Sequence, residues 1–351
     1  MQLDMHYFGT YAMARAAGVK DHIARVMATA AEYVDDSDYV NVTLTDGMQI
    51  NAVPTAHHPT DLKQNIDSVD QRRTWVPFHF IPGNAGATPE ERLVCRMDSD
   101  IARQMVDHNI ALAREDYGYL LAGITAHVYA DTFSHYGFSG ISSDLNKVEP
   151  SSIALEVADS GVLDYIRRKA VHFAEKYVVG HAANLLRLGH GSVATYPDRP
   201  FLKWSFTYSS GGQSGNRPNR ETFLLACEKL HGMFGRFAAQ YPEAWLDAAT
   251  ARPFAEISKD VADILAVEAD VDGRIEAWQA AAVSGKIFHN PPRTRIPNYD
   301  PRTFVDELKA LHTYDSARAN RTLVYLFLRA ADVHRDYVLG SLLPAHGIHL
   351  T

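Results

Sequence analysis

The sequence predicts a mainly α protein, a multi-helix bundle with one small β-hairpin inserted. Three observations carry that prediction. Apolar residues recur at helical spacing through most of the chain. Alternating runs rich in Val, Thr and Ile occur in one place only. Gly, Pro, Asn and Asp gather into a few long connections. With 46% hydrophobic and 22% charged residues over 351 positions, the composition is globular. That length suits a single large helical domain spanning 1–351.

Residues 9–34, rich in Ala, Met and Arg, read as helix broken near Gly18. Tyr39–Leu44 and Met48–Val53 alternate on either side of Thr45-Asp46-Gly47, a hairpin turn. Residues 54–74 read as polar loop, and Trp75–Gly83 as a short extended apolar segment. Helix resumes at Pro89 behind Thr88 as N-cap and runs to about 113. A second helix covers about 115–135, and another helical block fills 151–189. Residues 190–220 form a long connection, a length more often functional than idle. Helices return at about 220–241, 251–283, 301–314 and 318–340, with a proline-rich irregular stretch at 284–300. The chain thus divides into a candidate metal-site half, about 1–200, and a C-terminal helical half, about 220–351.

A formal net charge of −8 argues against a broadly basic face for duplex nucleic acid. Only Cys95 and Cys227 are present, which excludes a disulfide framework and a four-cysteine zinc site. The chain begins with no basic-then-apolar leader and has no apolar run of membrane-spanning length. A cytoplasmic protein without an integral membrane segment is expected. The remaining feature is histidine, 17 residues of it, a common metal ligand and an acid or base near neutral pH.

The strongest local pattern is His127-x3-Asp131-x3-His135. Each step of four residues advances a net angle of about 40°, so the three side chains share one helix face. The carboxylate between the imidazoles has two oxygens and can bridge two ions. An apolar run precedes the trio, and buried imidazoles and carboxylates are costly unless paired or metal-bound. His79 sits in the apolar segment Val76–Ile81, and His6 follows Asp4-Met5. Asp35 and Asp36 stand at a helix end, where acids oppose the helix dipole.

The ordered set His6, Asp35/Asp36, His79 and His127-x3-Asp131-x3-His135 resembles the zinc-dependent phospholipase C and single-strand-specific zinc nuclease superfamily. The resemblance covers roughly residues 1–200. It implies a mainly helical phospholipase C/nuclease-like bundle with two or three Zn2+ ions. Carried over, His79, His127 and Asp35 or Asp36 would form one site with Asp131. His6 would share Asp131 in a second, and His135 would belong to a third. His181 and His190 are the candidates to complete the third, with Asp198 as a possible acid. The family's N-terminal ligand would be the amine of Met1 or else Asp4. Residue 1 is Met here where the family carries Trp, and the Asp131 to His135 spacing is shorter than the family's.

The activity so implied is hydrolysis of a small-molecule or lipid phosphoester by a metal-bound hydroxide. Zinc lowers the pKa of bound water toward about 7 and offsets phosphoryl charge. Asp35 or Asp36 would orient the water, with Asp131 the shared carboxylate. Arg199 and Lys203 are candidates to contact phosphate, and Tyr196, Trp204 and Tyr208 to stack on a base or line a lipid groove. Two other classes compete. Glu228-Lys229-Leu230-His231 matches the E-x-x-H of di-iron helical oxidases, though without a second copy. A non-catalytic scaffold retaining the fold is the other.

Overall fold

The computed structural model describes residues 1–38, 40–57, 64–65, 67–178, 187–289 and 294–350. It is mainly helical with two small antiparallel sheets. Among the described residues no helix is long and apolar enough to cross a membrane.

The chain enters through a π-helical stretch, Asp4–Gly9, which runs straight into α1 (Thr10–Ala16). Gly18, at φ +88°, breaks the helix before α2 (Asp21–Tyr33). The hairpin forms β1 (Val40–Thr43) and β2 (Gln49–Ala52), with Val42 opposite Ile50. Its turn uses Gly47 at φ +86°, which a side chain would strain.

The segment expected as loop followed by an extended run is instead a helix, α3 (Ser68–Phe78). Asp67 caps it, accepting from the amides of Val69 and Asp70. Pro77 suggested an extended chain, but it stands one residue before the helix end, so the helix forgoes one amide donor there and stops a residue later. The helix expected over 89–113 splits in two. A single turn at Pro89–Arg92, closed by a Thr88/Glu91 capping box, is followed by α4 (Asp100–Ala111).

The central element is α5 (Gly118–Asp131), buried almost all round. It lies against α2, and Gly123 makes the contact possible, because a Cβ there would come within 2.3 Å of the Met27 carbonyl oxygen. The helix ends at Asp131, earlier than expected, so His135 lies beyond it. The amide of His135 still donates to the Asp131 carbonyl at 2.8 Å, which keeps the helical path for one more turn.

The helical block expected over 151–189 is preceded by a strand, β3 (Ala154–Glu156), before α6 (Ser160–Val178). The long connection contains β4 (Lys203–Ser205) and β5 (Arg217–Pro218), which complete a β3-β4-β5 sheet. Short strands with no clean alternation leave no periodic signal, which is why the sequence reading missed this sheet. The sheet covers a second, smaller core built on Phe80, Phe138, Ile166, Leu202, Trp204 and Phe206. The remaining long helices are α7 (Asn219–Gln240), α8 (Phe254–Leu265), α9 (Val271–Ser284), α10 (Arg302–Ala310) and α11 (Leu323–Tyr337). The span expected as one helix over 251–283 is therefore two. Helix α7 packs on α1, α8 and α5, and α11 packs on α5, so the main core runs from Met1 to Ile348.

Candidate metal centre

The last turn of α5 delivers His127 and Asp131 into the core with no solvent exposure. His6, His79, His135 and Asp198 join them, all buried. Among the described residues three groups, the first two sharing His127, have the side-chain composition and proximity to hold a metal ion: His6/His127/Asp131, Asp35/His79/His127 and His135/His190/Asp198.

Each imidazole but one is fixed through a backbone carbonyl. His127 Nδ1 donates to Ala31 O at 2.7 Å, and His79 Nε2 to Thr55 O at 2.9 Å. His135 Nδ1 donates to His79 O at 2.9 Å, and His190 Nδ1 to Ala194 O at 2.6 Å. A carbonyl accepts only, so each of these nitrogens carries the proton and the other nitrogen of a neutral ring presents a lone pair. Those lone pairs converge. His79 Nδ1 and His127 Nε2 lie 3.1 Å apart, and both lie 3.3 Å from Asp131 Oδ2. His135 Nε2 stands 3.2 Å from Asp198 Oδ1, and His190 Nε2 stands 3.8 Å from Asp198 Oδ2. Lone pairs facing lone pairs and carboxylates repel unless a cation lies between them. Imidazoles oriented by carbonyls behind them are the usual surroundings of a metal site.

His6 is the exception, with neither nitrogen in a hydrogen bond. Its ring stacks on His127 at 3.8 Å, and Nε2 is 3.2 Å from Asp131 Oδ1. Burial, the neighbouring His127 and the N-terminal ammonium push its pKa down to about 3, so the ring is neutral at pH 7. Burial likewise holds His190 down at about 4. Burial alone would raise Asp131, but His135, the N-terminal ammonium, His127 and His6 outweigh it and hold the carboxyl well below its usual range. Asp198 is lowered in the same way by the ammonium, His190 and His135 against burial.

The ammonium of Met1 lies 2.7 Å from Asp131 Oδ1 and 3.4 Å from Asp198 Oδ1. Burial would lower its pKa, yet Asp131, Asp198 and Asp35 raise it to about 11. Asp4, the other candidate for that place, is committed elsewhere. It forms a buried pair with Arg274 at 2.8 Å, and Arg274 also donates to Gln2, so this pair pins the N-terminal segment.

Asp35 and Asp36 part company after α2. Asp35 Oδ1 is 3.8 Å from His79 Nδ1 and 3.9 Å from His127 Nε2, with 39% of its side chain open. Asp36 instead accepts from Tyr299 at 2.5 Å, away from the cluster. His181 lies outside the described residues. His231 bonds to Arg252 O and Glu228 is exposed, so neither approaches the cluster.

Two residues that no local pattern singles out position the third group. Arg217, buried over the Tyr136 ring, donates to Tyr136 O at 2.9 Å and Ser134 O at 3.0 Å, on either side of His135. Asn219 Nδ2 donates to the carbonyls of Tyr196, Pro197 and Arg199, which bracket Asp198. The loop holding His190 is strained at Ala194, where φ is +47°. Gly189 there meets Phe80 so closely that a Cβ would sit 2.5 Å from the ring.

The long connection is packed, not open. Lys203 pairs with Glu156, and buried Arg199 donates to Thr195 and lies over Tyr165. Trp204 is core, its indole N–H on Asn219, with Tyr196 and Tyr208 packed around it. Tyr196, Arg199 and Trp204 are thus buried, whereas Lys203 is exposed and Tyr208 partly so. A cavity of about 360 Å³ opens beside the cluster, reaching Asp35, His79, Asp131, His135, His190 and Asp198. Its apolar walls include Trp75, Phe80 and Leu188, and among the described residues no Lys or Arg side chain lines it.

Residues 1–342 match a family described as a family of unknown function (DUF6765), and the chain belongs to that family. No curated protein and no solved structure matches the chain.

Proposed function

We propose that this protein is a metal-dependent hydrolase of a phosphoester, with zinc as its ion. The observation that carries the reading is the pair of ring nitrogens, His79 Nδ1 and His127 Nε2, 3.1 Å apart beside Asp131, each on a ring whose other nitrogen faces a backbone carbonyl. The residues fit such ions by their own chemistry. His6 has two buried nitrogens without hydrogen bonds, and imidazole with carboxylate is a zinc donor set. Two or three ions would be held by His6 with Asp131, by Asp35, His79 and His127 with Asp131, and by His135, His190 and Asp198. Bound zinc supplies Lewis acidity toward a phosphoryl oxygen and a water nucleophile at neutral pH.

The chain's own groups then divide the work. Asp131 offers Oδ1 toward His6 and Oδ2 toward His79, His127 and His135, so one carboxylate is shared. Asp35, the carboxylate left partly open to the cavity, orients the attacking water and accepts its proton. The apolar walls exclude water and accommodate the organic part of a small phosphoester. A cavity with no cationic side chain among its described lining residues supports a small-molecule or lipid ester over a long polyanion. The sequence resemblance to zinc phospholipases C and nucleases points the same way.

The test is turnover of bis(4-nitrophenyl) phosphate by zinc-loaded protein. Activity that disappears in Asp131→Asn together with at least one equivalent of zinc is the expected result. Full metal content in that variant would overturn the assignment. Iron with visible absorbance would favour a di-iron oxidase, and no transition metal at all a scaffold.

A further inference from the structure

The loop between His190 and Asp198 brings Thr195 to the cavity wall, between two members of the third ligand group and outside all three groups. The turn that does so is strained. Ala194 has φ +47° and ψ −129°, a conformation that favours glycine. Two hydrogen bonds hold the turn. His190 Nδ1 donates to Ala194 O at 2.6 Å, and the amide of Asp198 donates to Thr195 O at 3.2 Å. Thr195 is thereby tied to His190 on one side and to Asp198 on the other.

Behind Thr195 lies Arg199, which is 3% exposed and whose Nη2 donates to Thr195 Oγ1 at 3.1 Å. A guanidinium only donates, so the hydroxyl oxygen accepts in this bond and its single proton points elsewhere. Among the described residues no carbonyl, carboxylate or ring nitrogen accepts that proton. Thr195 is only partly buried and lines the cavity, so the proton is left for whatever fills the cavity. No Lys or Arg side chain lines that wall among the described residues, so Arg199 acts on a bound anion at one remove, by polarising the hydroxyl it donates to. A fixed donor aimed at an oxygen that gains charge in the transition state is worth more than one that must reorient. We propose that Thr195 is a catalytic residue whose hydroxyl donates a hydrogen bond to an unesterified phosphoryl oxygen of the substrate, and that Arg199 is the positioning residue that sets the direction of that hydroxyl. This rests on the phosphoester reading above. Thr195 keeps its proton throughout, while the water oxygen bonds to phosphorus and the ester oxygen departs.

The experiment compares zinc-loaded wild type, Thr195→Val, Thr195→Ser and Arg199→Met on methyl 4-nitrophenyl phosphate and on the two enantiomers of its phosphorothioate. Sulfur accepts hydrogen bonds weakly, and only one enantiomer sets it toward Thr195. Thr195→Val is expected to lose about 100-fold in kcat/KM on the oxygen ester and on the enantiomer that keeps oxygen toward residue 195. On the other enantiomer it loses less than about threefold, because the bond is already weak there. Thr195→Ser retains the hydroxyl and restores the wild-type pattern. Arg199→Met moves the enantiomer ratio in the same sense as Thr195→Val by a smaller factor, and zinc content stays at the wild-type value in all variants. Equal losses on the two enantiomers, an unchanged rate on the oxygen ester, or Thr195→Ser as poor as Thr195→Val would overturn the assignment while leaving the phosphoester reading intact. Wild type that binds zinc but does not turn over the oxygen ester overturns that reading and this assignment with it. Should Thr195→Val fail to fold, crystals of zinc-loaded wild type with inorganic phosphate decide. A phosphate oxygen about 3 Å from Thr195 Oγ1 supports the assignment, and none within about 4 Å overturns it.

Discussion

Replacing Asn219 should damage both stability and the third ligand group, and the size of the effect can be worked from its bonds. Asn219 Nδ2 faces three carbonyl oxygens, at 2.8 Å (Tyr196), 2.9 Å (Arg199) and 3.3 Å (Pro197), with two protons to share. Its Oδ1 accepts the Trp204 indole N–H at 3.0 Å. Asn219→Ala therefore removes about three hydrogen bonds from a buried site, at about 1 kcal/mol each. With about 2.1 cal/mol/K of unfolding entropy per residue, about 3 kcal/mol lowers Tm by about 4 °C for a chain of this length. Asn219→Asp should do worse, because it sets carboxylate oxygens against three carbonyls. Scanning calorimetry of wild type and both variants reads the order directly, and metal analysis reads the loosening of Asp198 as lost zinc. A Tm within 1 °C of wild type for Asn219→Ala, or Asp tolerated better than Ala, would refute the reasoning.

Other outcomes follow from the same structure. Gly123→Ala should cost about 2 kcal/mol by chemical denaturation, since its methyl would meet the Met27 carbonyl of α2. Arg217→Met should leave the Ser134 and Tyr136 carbonyls unpaired, so zinc titration should show the weakest site weakened at least tenfold. Arg274→Met should strand Asp4 as a buried charge and lower stability by about 3 kcal/mol, seen as a drop in the urea midpoint. His334 is held neutral by burial, its pKa down at about 4, donating to Pro77 O and facing Asn109. The unfolded chain binds that proton at about 6.5, so the contribution of His334 is complete above pH 6.5 and declines as pH falls toward 4. It amounts to about 3 kcal/mol, and His334→Gln should flatten that limb of the stability–pH curve.

What the sequence disclosed was local. The hairpin was readable because Thr45-Asp46-Gly47 demands a tight turn between alternating runs. The cap at Thr88 was readable because Pro89, a good first-turn residue, follows it. His127 and Asp131 declared themselves by spacing within an apolar helix, since polar groups there need a reason. Long-range facts were not readable. Arg217, Asn219 and Arg274 act on carbonyls and carboxylates far away in sequence, and no periodicity marks them. Asp35 and Asp36 are equivalent in sequence, and only the exit path from α2 sends one to His79 and the other to Tyr299. Helix α3 was hidden by Pro77, whose position one residue before the helix end is a tertiary fact. Asp198 meets His190 only because the strained turn at Ala194 folds the loop back.

The most direct measurement is anomalous scattering at the zinc edge from crystals of zinc-supplemented protein. The expected map has two or three peaks, one of them between His79 Nδ1 and His127 Nε2 beside Asp131. Crystals with those nitrogens still about 3 Å apart and no anomalous peak between them would contradict a metal centre here.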